Sequence, residues 1–214
     1  GKSWAQRVKP KNIEELSALI SIIRPGTLKA IVDGKSMTQH YVDRKNGVEE
    51  ITYLHPSLEP ILKGTQGVLV YQEQSMKIAQ QLAGFNLQEA DNLRKAIGKK
   101  KADLMAKVKQ DFLKGASEKD IITTEEAEEI FSWIEKSSRY AFNKSHAVSY
   151  AICAYWSAYA KFHFPLEFYC NYLIHSSGKP DPQREVKELV NDAKNLDIHI
   201  SPPSIKSLNT KTDI

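Results

Sequence analysis

The basic residues between positions 87 and 114 have types and spacings suited to binding a polyphosphate. Arg94, Lys95, Lys99 and Lys101 fall within one short stretch of predicted helix. A triphosphate is held well by several cations that converge on it. On a helical wheel, Arg94 and Lys101 lie at the edge of the apolar stripe, whereas Lys95 and Lys99 point further into solvent. From this segment alone, a solvated basic face whose lysine stems cover apolar surface is an equally open interpretation.

One helical wheel over residues 87–114 places these cations beside a buried stripe. Gly98 lies close to the same line, where it weakens the helix and leaves room for a ligand to approach the backbone. The apolar residues that form the predicted stripe are Leu93, Ile97, Leu104 and Val108.

A second polar cluster, Asn143, Lys144, Ser145 and His146, stands between aromatic residues just before a predicted helix over 146–163. Ser145 is the predicted N-cap of that helix. The free N–H groups and the dipole of a helix N-terminus favour an anion there. Lys144 and Arg139 would add charge, and Asn143 and His146 would add hydrogen bonds. Capping explains Ser145 but not the whole set.

The helix predicted over 146–163 alternates small and aromatic residues. Aromatic side chains in such a helix either stack on nucleic-acid bases or pack in the core, and we favour core packing. The aromatic residues concerned are Tyr150, Tyr155, Trp156, Tyr159 and Phe162.

The hydrophobic periodicity predicts a mostly α fold, a multi-helix module with little or no β structure. Asn12 and Thr124 are predicted N-caps, and Gly84 is a predicted helix end. Helices are predicted over residues 12–23, 57–63, 71–82, 87–114, 124–138, 146–163, 166–176 and 183–196.

Composition narrows the class of protein. Hydrophobic residues make up 41% of the chain, enough for a packed core, and the net charge is +4. No apolar run is long enough to cross a membrane. Cys153 and Cys170 have no metal-ligand spacing, and a reducing cytoplasm is the expected location. Residues 1–4 show neither an initiator methionine nor a signal-peptide pattern, so we expect a piece of a longer protein.

Four motifs, in this order, resemble one family. They are RPG at 24–26, GVLVYQEQ at 67–74, EADNLRKAIGKKK at 89–101 and YAFNKSHAVSYA at 140–151. Together they resemble the fingers region of C-family bacterial replicative DNA polymerases, the DNA polymerase III alpha subunits. The resemblance implies a fingers core over 1–178. Residues 179–214 would then form a linker, a terminal helix and an extended tail leading to further modules.

The resemblance also implies roles for individual residues. Arg24 and Gly26 would lie near the nascent base pair. The residues that would bind the triphosphate of the incoming dNTP are Arg94, Lys95, Lys99, Lys101, Asn143, Lys144, Ser145 and His146.

The same resemblance places the catalytic chemistry outside this chain. In the family a palm domain supplies carboxylates that hold Mg²⁺, and they lie upstream of the matched region. The chain would therefore contain no catalytic or metal-binding residue and would not polymerise DNA alone. Its expected partners are dNTP, primer-template DNA and the other domains of the parent polymerase, with no membrane.

Some positions depart from the family pattern. Gln66, Ser75, Ala141 and residues 137–139 stand where the family usually has other residue types, which indicates a divergent member such as one from a phage. Two other classes of function stay open from the residues alone. One is a non-catalytic helical domain that binds nucleic acid through its basic patches, and the other is an interaction module that docks a partner on the helix 146–163.

Overall fold

The computed structural model describes residues 1–99 and 102–202, apart from the side chains of Lys99 and Ala102. Within them the chain is almost entirely helical, which confirms the predicted fold class. The helices are α1 (Lys2–Val8), α2 (Ile13–Ile22), α3 (Pro25–Lys29), α4 (Met37–Lys45), α5 (Glu59–Leu62), α6 (Gln72–Ala83), α7 (Leu87–Lys99), α8 (Ala102–Lys119), α9 (Thr124–Ser137), α10 (Lys144–His163), α11 (Pro165–His175) and α12 (Pro182–Lys194). The two strands, β1 (Ile31–Val32) and β2 (Lys35–Ser36), pair as one antiparallel hairpin.

The chain divides into two compact units, residues 1–152 and 153–214, with the division inside α10. Every described residue of the candidate site lies in the first unit. The extent of the fingers core, residues 1–178, stays a prediction, and residues 203–214 of the predicted tail lie outside the described part.

Helices α6, α7 and α8 pack against one another at the core of the first unit. The three-residue connection 84–86 turns α7 back along α6, with Gly84 at positive φ as the predicted helix end. Near its own end, α8 crosses α6 so closely that a Cβ on Gly115 would lie 2.1 Å from the Ala83 carbonyl oxygen. The C-terminal ends of α6 and α8 are thus together.

The prediction of one helix over 87–114 is wrong, because the segment forms two helices: α7 ends at Lys99 and α8 begins at Ala102. Folding the segment into two helices lets both apolar faces bury against α6. Leu93, Ile97 and Val108 of the predicted stripe are buried, and Leu104 is partly buried. The helical wheel drawn over 87–114 therefore does not hold for the whole segment, and Lys101 lies outside the described residues.

The N-terminal part of the first unit packs α1, α2 and α4 around a second apolar cluster. Asn12 caps α2 by accepting from the Glu15 N–H at 2.9 Å, as predicted. Pro25 both stops α2 and starts α3, since proline suits the first turn of a helix. The hairpin β1–β2 and α4 were not predicted, because residues 27–46 are polar and mixed. Their local signals are Gly34 at positive φ and Ser36, which caps α4.

The N-cap of α9 is Thr123, so the prediction of Thr124 is wrong by one residue. The Thr123 hydroxyl accepts from the Glu126 N–H, and the Glu126 carboxylate accepts from the Thr123 N–H at 2.8 Å. This reciprocal capping box needs a glutamate three residues after the cap, which only Thr123 has.

The second unit has its own small core. Tyr169, Leu173, Leu189, Ala193 and Ile198 bury their side chains together. The Tyr169 hydroxyl donates to the Asp192 carboxylate at 2.7 Å, and Lys161 forms an ion pair with the same carboxylate.

A charged cluster ties α4 to the β-hairpin and to the loop after α4. The Glu49 carboxylate accepts from the ring of His40 at 2.8 Å and from Arg44 Nε at 2.6 Å. The other ring nitrogen of His40 faces the Val32 carbonyl at 2.8 Å. Burial raises the pKa of Glu49, but the hydrogen bonds from His40 and Arg44 outweigh it and lower the pKa to about 2. The ionised form of Glu49 is therefore the one that stabilises the fold.

We expect Glu49→Gln to lower the free energy of unfolding by about 1–3 kcal/mol at neutral pH, because charged hydrogen bonds are lost. In the wild type this contribution is present above pH 4.5, the ordinary value of the glutamate pKa, and is lost as the pH falls toward about 2. Urea unfolding at several pH values measures it. The exposed neighbour Glu50 is the matched control, and an equal loss in Glu50→Gln would contradict the assignment.

Candidate functional site

The N-terminus of α10 is fixed to the start of α6 by a short parallel bridge between Tyr71 and Phe142. The Phe142 N–H donates to the Val70 carbonyl at 2.9 Å, and the Gln72 N–H donates to the Phe142 carbonyl at 3.0 Å. Burial raises the pKa of Tyr71 to about 12, so its hydroxyl stays protonated at neutral pH. The bridge places residues 143–146 directly beside the first turn of α6.

Asn143 caps α10, which makes the prediction of Ser145 as the N-cap wrong. The Asn143 side-chain oxygen accepts from the His146 N–H at 2.9 Å. Because α10 begins at Lys144, Ser145 already lies inside the first turn, with its side chain exposed. Asparagine is as good a cap as serine, and the extended bridge at Phe142 sets the earlier start.

A carboxylate already occupies part of the helix terminus. Glu73 Oε2 accepts from the Lys144 backbone N–H at 2.9 Å, across 71 positions of sequence. Negative charge at this position is stabilised by the free N–H groups and the dipole of α10. The N-terminus of α10 therefore binds an anionic group in this structure, and that group is a side chain of the protein itself.

The side chains around this terminus are mostly exposed. Lys144 Nζ lies 5.8 Å from the centre of the Tyr71 ring, and both residues line a small cavity of about 80 Å³ with Glu73 and Lys77. The His146 ring packs edge-on against Tyr150, with ring centres 4.7 Å apart. The first turn of α10 thus presents an amine, a hydroxyl and an imidazole to one surface.

Arg24 and Gly26 lie against the segment that leads into α10. The Arg24 guanidinium stacks on the Phe142 ring at 4.4 Å. A Cβ on Gly26 would come within 3.0 Å of Tyr140 Cβ, so glycine permits this close approach. The structure therefore brings these two predicted residues together with the 143–146 cluster, with Phe142 in contact with both Arg24 and His146.

The cations of α7 have a carboxylate partner of their own. Asp91 accepts from Arg94 Nε at 2.8 Å and pairs with Lys95 Nζ at 2.8 Å. These hydrogen bonds, from Lys95 first and then Arg94, lower the pKa of Asp91. Both basic side chains are about 40% exposed, at 39% for Arg94 and 42% for Lys95. The side chain of Lys99 and all of Lys101 lie outside the described residues.

The two groups of predicted residues lie on different helices of the first unit. Arg94 and Lys95 belong to the second half of α7, and Glu73 in the first turn of α6 contacts Lys144. Among the residues that the structure describes, no hydrogen bond or ion pair joins Arg94 or Lys95 to residues 143–146.

Comparison with known sequences identifies the family. A family model described as the bacterial DNA polymerase III alpha subunit finger domain matches residues 1–120, more than half of the chain. The chain belongs to this family. The resemblance drawn from the four motifs is thereby confirmed.

Curated relatives extend the match over nearly the whole chain. DNA polymerase III subunit alpha of Aquifex aeolicus is 44% identical over 204 residues, which cover 95% of this chain. The subunits of Halalkalibacterium halodurans and Escherichia coli K12 are each 40% identical, over 98% and 96% of this chain. In every case the matched region is 17% of the relative, so the chain spans about a sixth of the length of these polymerase subunits.

Two acidic residues of this polymerase fingers chain contact predicted site residues without having been predicted themselves. Glu73 contacts Lys144, and Asp91 contacts Arg94. The signal for Asp91 was its spacing of three and four residues from Arg94 and Lys95. No local signal pairs Glu73 with Lys144, because the contact depends on the tertiary fold.

The prediction that the aromatic residues of α10 pack in a core is wrong. They are exposed, from 47% for Tyr159 to 81% for Phe162, whereas Ala147 and Ala151 of the same helix are buried. In the first unit, the small residues Ala147 and Ala151 are therefore the ones that bury against the core.

The described residues contain neither a metal-binding group nor a membrane-spanning helix. Within them, no three His, Cys, Asp or Glu side chains come together in a group that could hold a metal ion. None of the helices described has the length and apolar character needed to span a membrane.

Proposed function

We propose that this chain binds the triphosphate of the incoming dNTP during DNA replication by its parent polymerase. The observation that carries the proposal is the α10 N-terminus, fixed beside the first turn of α6 and already bonded to a carboxylate. Lys144, Ser145 and His146 surround this terminus. Arg94 and Lys95, with Lys99 and Lys101 further along the sequence, would add charge.

The proposed contribution to catalysis is positioning and charge. Cations held on a triphosphate orient the reacting phosphorus and offset the negative charge that develops on the leaving group. Asn143 would act by fixing the helix terminus, since its side-chain oxygen already binds the His146 N–H. Arg24 and Gly26, which pack against Phe142 and Tyr140, would support the nascent base pair.

Bond formation itself is assigned to other parts of the polymerase. The resemblance gives Mg²⁺ and its carboxylates to the palm, and the described residues of this chain offer no metal cluster that fits the ion. We therefore expect the chain alone to bind nucleotide and primer-template DNA without polymerising, in a cytoplasmic replication complex with the other polymerase domains.

A triphosphate would have to exchange with two internal carboxylates. Glu73 occupies the α10 terminus and Asp91 occupies Arg94 and Lys95. A triphosphate carries more negative charge than either carboxylate, so the exchange is favourable where several cations converge. Of the two carboxylates, Asp91 pairs with basic side chains, whereas Glu73 binds a backbone N–H.

In the parent polymerase we expect Lys144→Ala or Arg94→Ala to lower kcat/KM for dNTP incorporation by about tenfold, because each removes about 1.4 kcal/mol of charge stabilisation. The loss should appear in KM for the nucleotide or in kcat, with the melting temperature unchanged because both side chains are exposed or half-buried. Steady-state incorporation on a primed template measures it.

Lys114→Ala is the matched control, since Lys114 is an exposed lysine next to Gly115, where α8 meets the C-terminal end of α6. Unchanged kinetics in both Lys144→Ala and Arg94→Ala would refute the proposed site.

A further inference from the structure

A second basic surface of the first unit shares Gly26 with the proposed site but holds none of the residues proposed to bind the triphosphate. It is a groove of about 550 Å³ between the end of α9 and the α3–β1 segment. Three cations, Lys29, Lys136 and Arg139, line it, and no carboxylate lies among its lining residues in the described part of the chain.

The three exposed cations of the groove have no acidic partner among the described residues, unlike several other cations of the first unit. Arg94 and Lys95 are paired with Asp91, and Arg44 is paired with Glu49. Among the described residues, Lys29, Lys136 and Arg139 form no ion pair and no side-chain hydrogen bond. Three unneutralised charges in one concave surface raise its positive potential and attract a polyanion.

Helix dipoles explain part of this arrangement but not all of it. Lys29 lies in the last turn of α3 and Lys136 in the last turn of α9, positions where a cation is favourable in any helix. The dipoles do not require the two helix ends to face one groove. Nor do they place Arg139, which follows α9, in the same groove.

The remaining walls of the groove are aromatic and apolar. Trp133 is half-buried and Ile31 is 62% exposed, and Tyr140 and Gly26 complete the side nearest Arg24. A flat aromatic surface between cations fits an unpaired base flanked by phosphates, because every base can stack whatever its sequence. The neighbouring cavity shares Trp133 and Lys136 but includes Asp33 and Glu129, so acidic residues limit the basic groove on that side.

We infer that this groove binds a single strand of nucleic acid, with Lys29, Lys136 and Arg139 on successive phosphates and Trp133 in contact with a base. The site is separate from the α10 terminus and needs no nucleoside triphosphate. Its failure and the failure of the proposed nucleotide site are therefore distinguishable.

The test is fluorescence anisotropy of the 214-residue chain with a labelled oligothymidine of about twelve nucleotides, at salt between about 50 and 200 mM. We expect the triple variant Lys29→Ala/Lys136→Ala/Arg139→Ala to bind at least about tenfold more weakly at the lower salt. The slope of log affinity against log salt should fall by about two, since each phosphate contact on a single strand contributes about 0.7. Trp133→Leu should weaken binding severalfold without changing that slope.

The matched control removes the same charge elsewhere. Lys2, Lys107 and Lys187 are exposed lysines on three other helices, and their triple alanine variant should bind within about threefold of wild type. An equal loss in this control would show binding by overall charge and overturn the inference. No binding by the wild type at low salt would also overturn it.

Competition separates a strand from a free triphosphate. Unlabelled dTTP at the same phosphate concentration should leave the oligonucleotide bound to the groove. Full displacement by dTTP, abolished in the groove variant, would make the groove a nucleotide site and would overturn the assignment to a strand.

Discussion

Binding of a fluorescent dNTP to this chain should fall about a hundredfold in the double variant Arg94→Ala/Lys144→Ala, because two cations on different helices are lost from one triphosphate. Arg94 belongs to α7 and Lys144 begins α10, so the proposed site needs both helices. Fluorescence titration of the purified chain measures the dissociation constants.

Lys107→Ala/Lys187→Ala removes two exposed lysines and serves as the control, with an expected change of less than about threefold. A double variant that binds as tightly as wild type would show that the two side chains do not meet the nucleotide. A loss shared by the control would show that net charge alone governs binding.

The largest effect on stability is expected from Gly115→Ala. The added Cβ would lie 2.1 Å from the Ala83 carbonyl oxygen, a backbone atom that cannot rotate away. Helices α6 and α8 would have to separate, at a cost of about 3 kcal/mol or more in the free energy of unfolding. For a chain of this size that corresponds to a fall of roughly 10 °C in melting temperature.

Gly98→Ala is the matched control for this prediction. A Cβ on Gly98 meets nothing within 4 Å, so in the last turn of α7 alanine should be neutral or stabilising by up to about 1 kcal/mol. Urea unfolding of both variants should therefore give changes of opposite sign or very different size. Equal, small changes would mean that α6 and α8 do not cross at Gly115.

Much of the helical fold was predictable because local signals and tertiary packing agree. Asn12 begins α2 and Gly84 ends α6 as their residue types predict. The segment 87–114 was harder, since its apolar periodicity continues across the point where the chain turns back on α6. Gly115 looked unremarkable in sequence, because only the crossing of α8 over α6 gives it a role.

The residues of the candidate site could be predicted from the sequence, but their contacts could not. The basic and polar residues could be selected from type and spacing, and the family match gives them a common context. The residues that they contact could not be predicted, because Glu73 meets Lys144 only through the bridge between Tyr71 and Phe142. The groove cations Lys29 and Arg139 are also far apart in sequence, and only the fold brings them to one surface.

The central claim is that the α10 N-terminus binds the triphosphate, and amide chemical shifts of the isotopically labelled chain test it most directly. Titration with dTTP should shift the backbone amides of Lys144, Ser145 and His146 and the Arg94 side-chain Nε–H, while thymidine, which lacks phosphates, should leave them in place. Replacement of the Glu73 carboxylate by phosphate at the Lys144 N–H makes that amide the most sensitive reporter. Saturating dTTP that leaves these four signals unmoved, or shifts only signals elsewhere in the chain, would contradict the account.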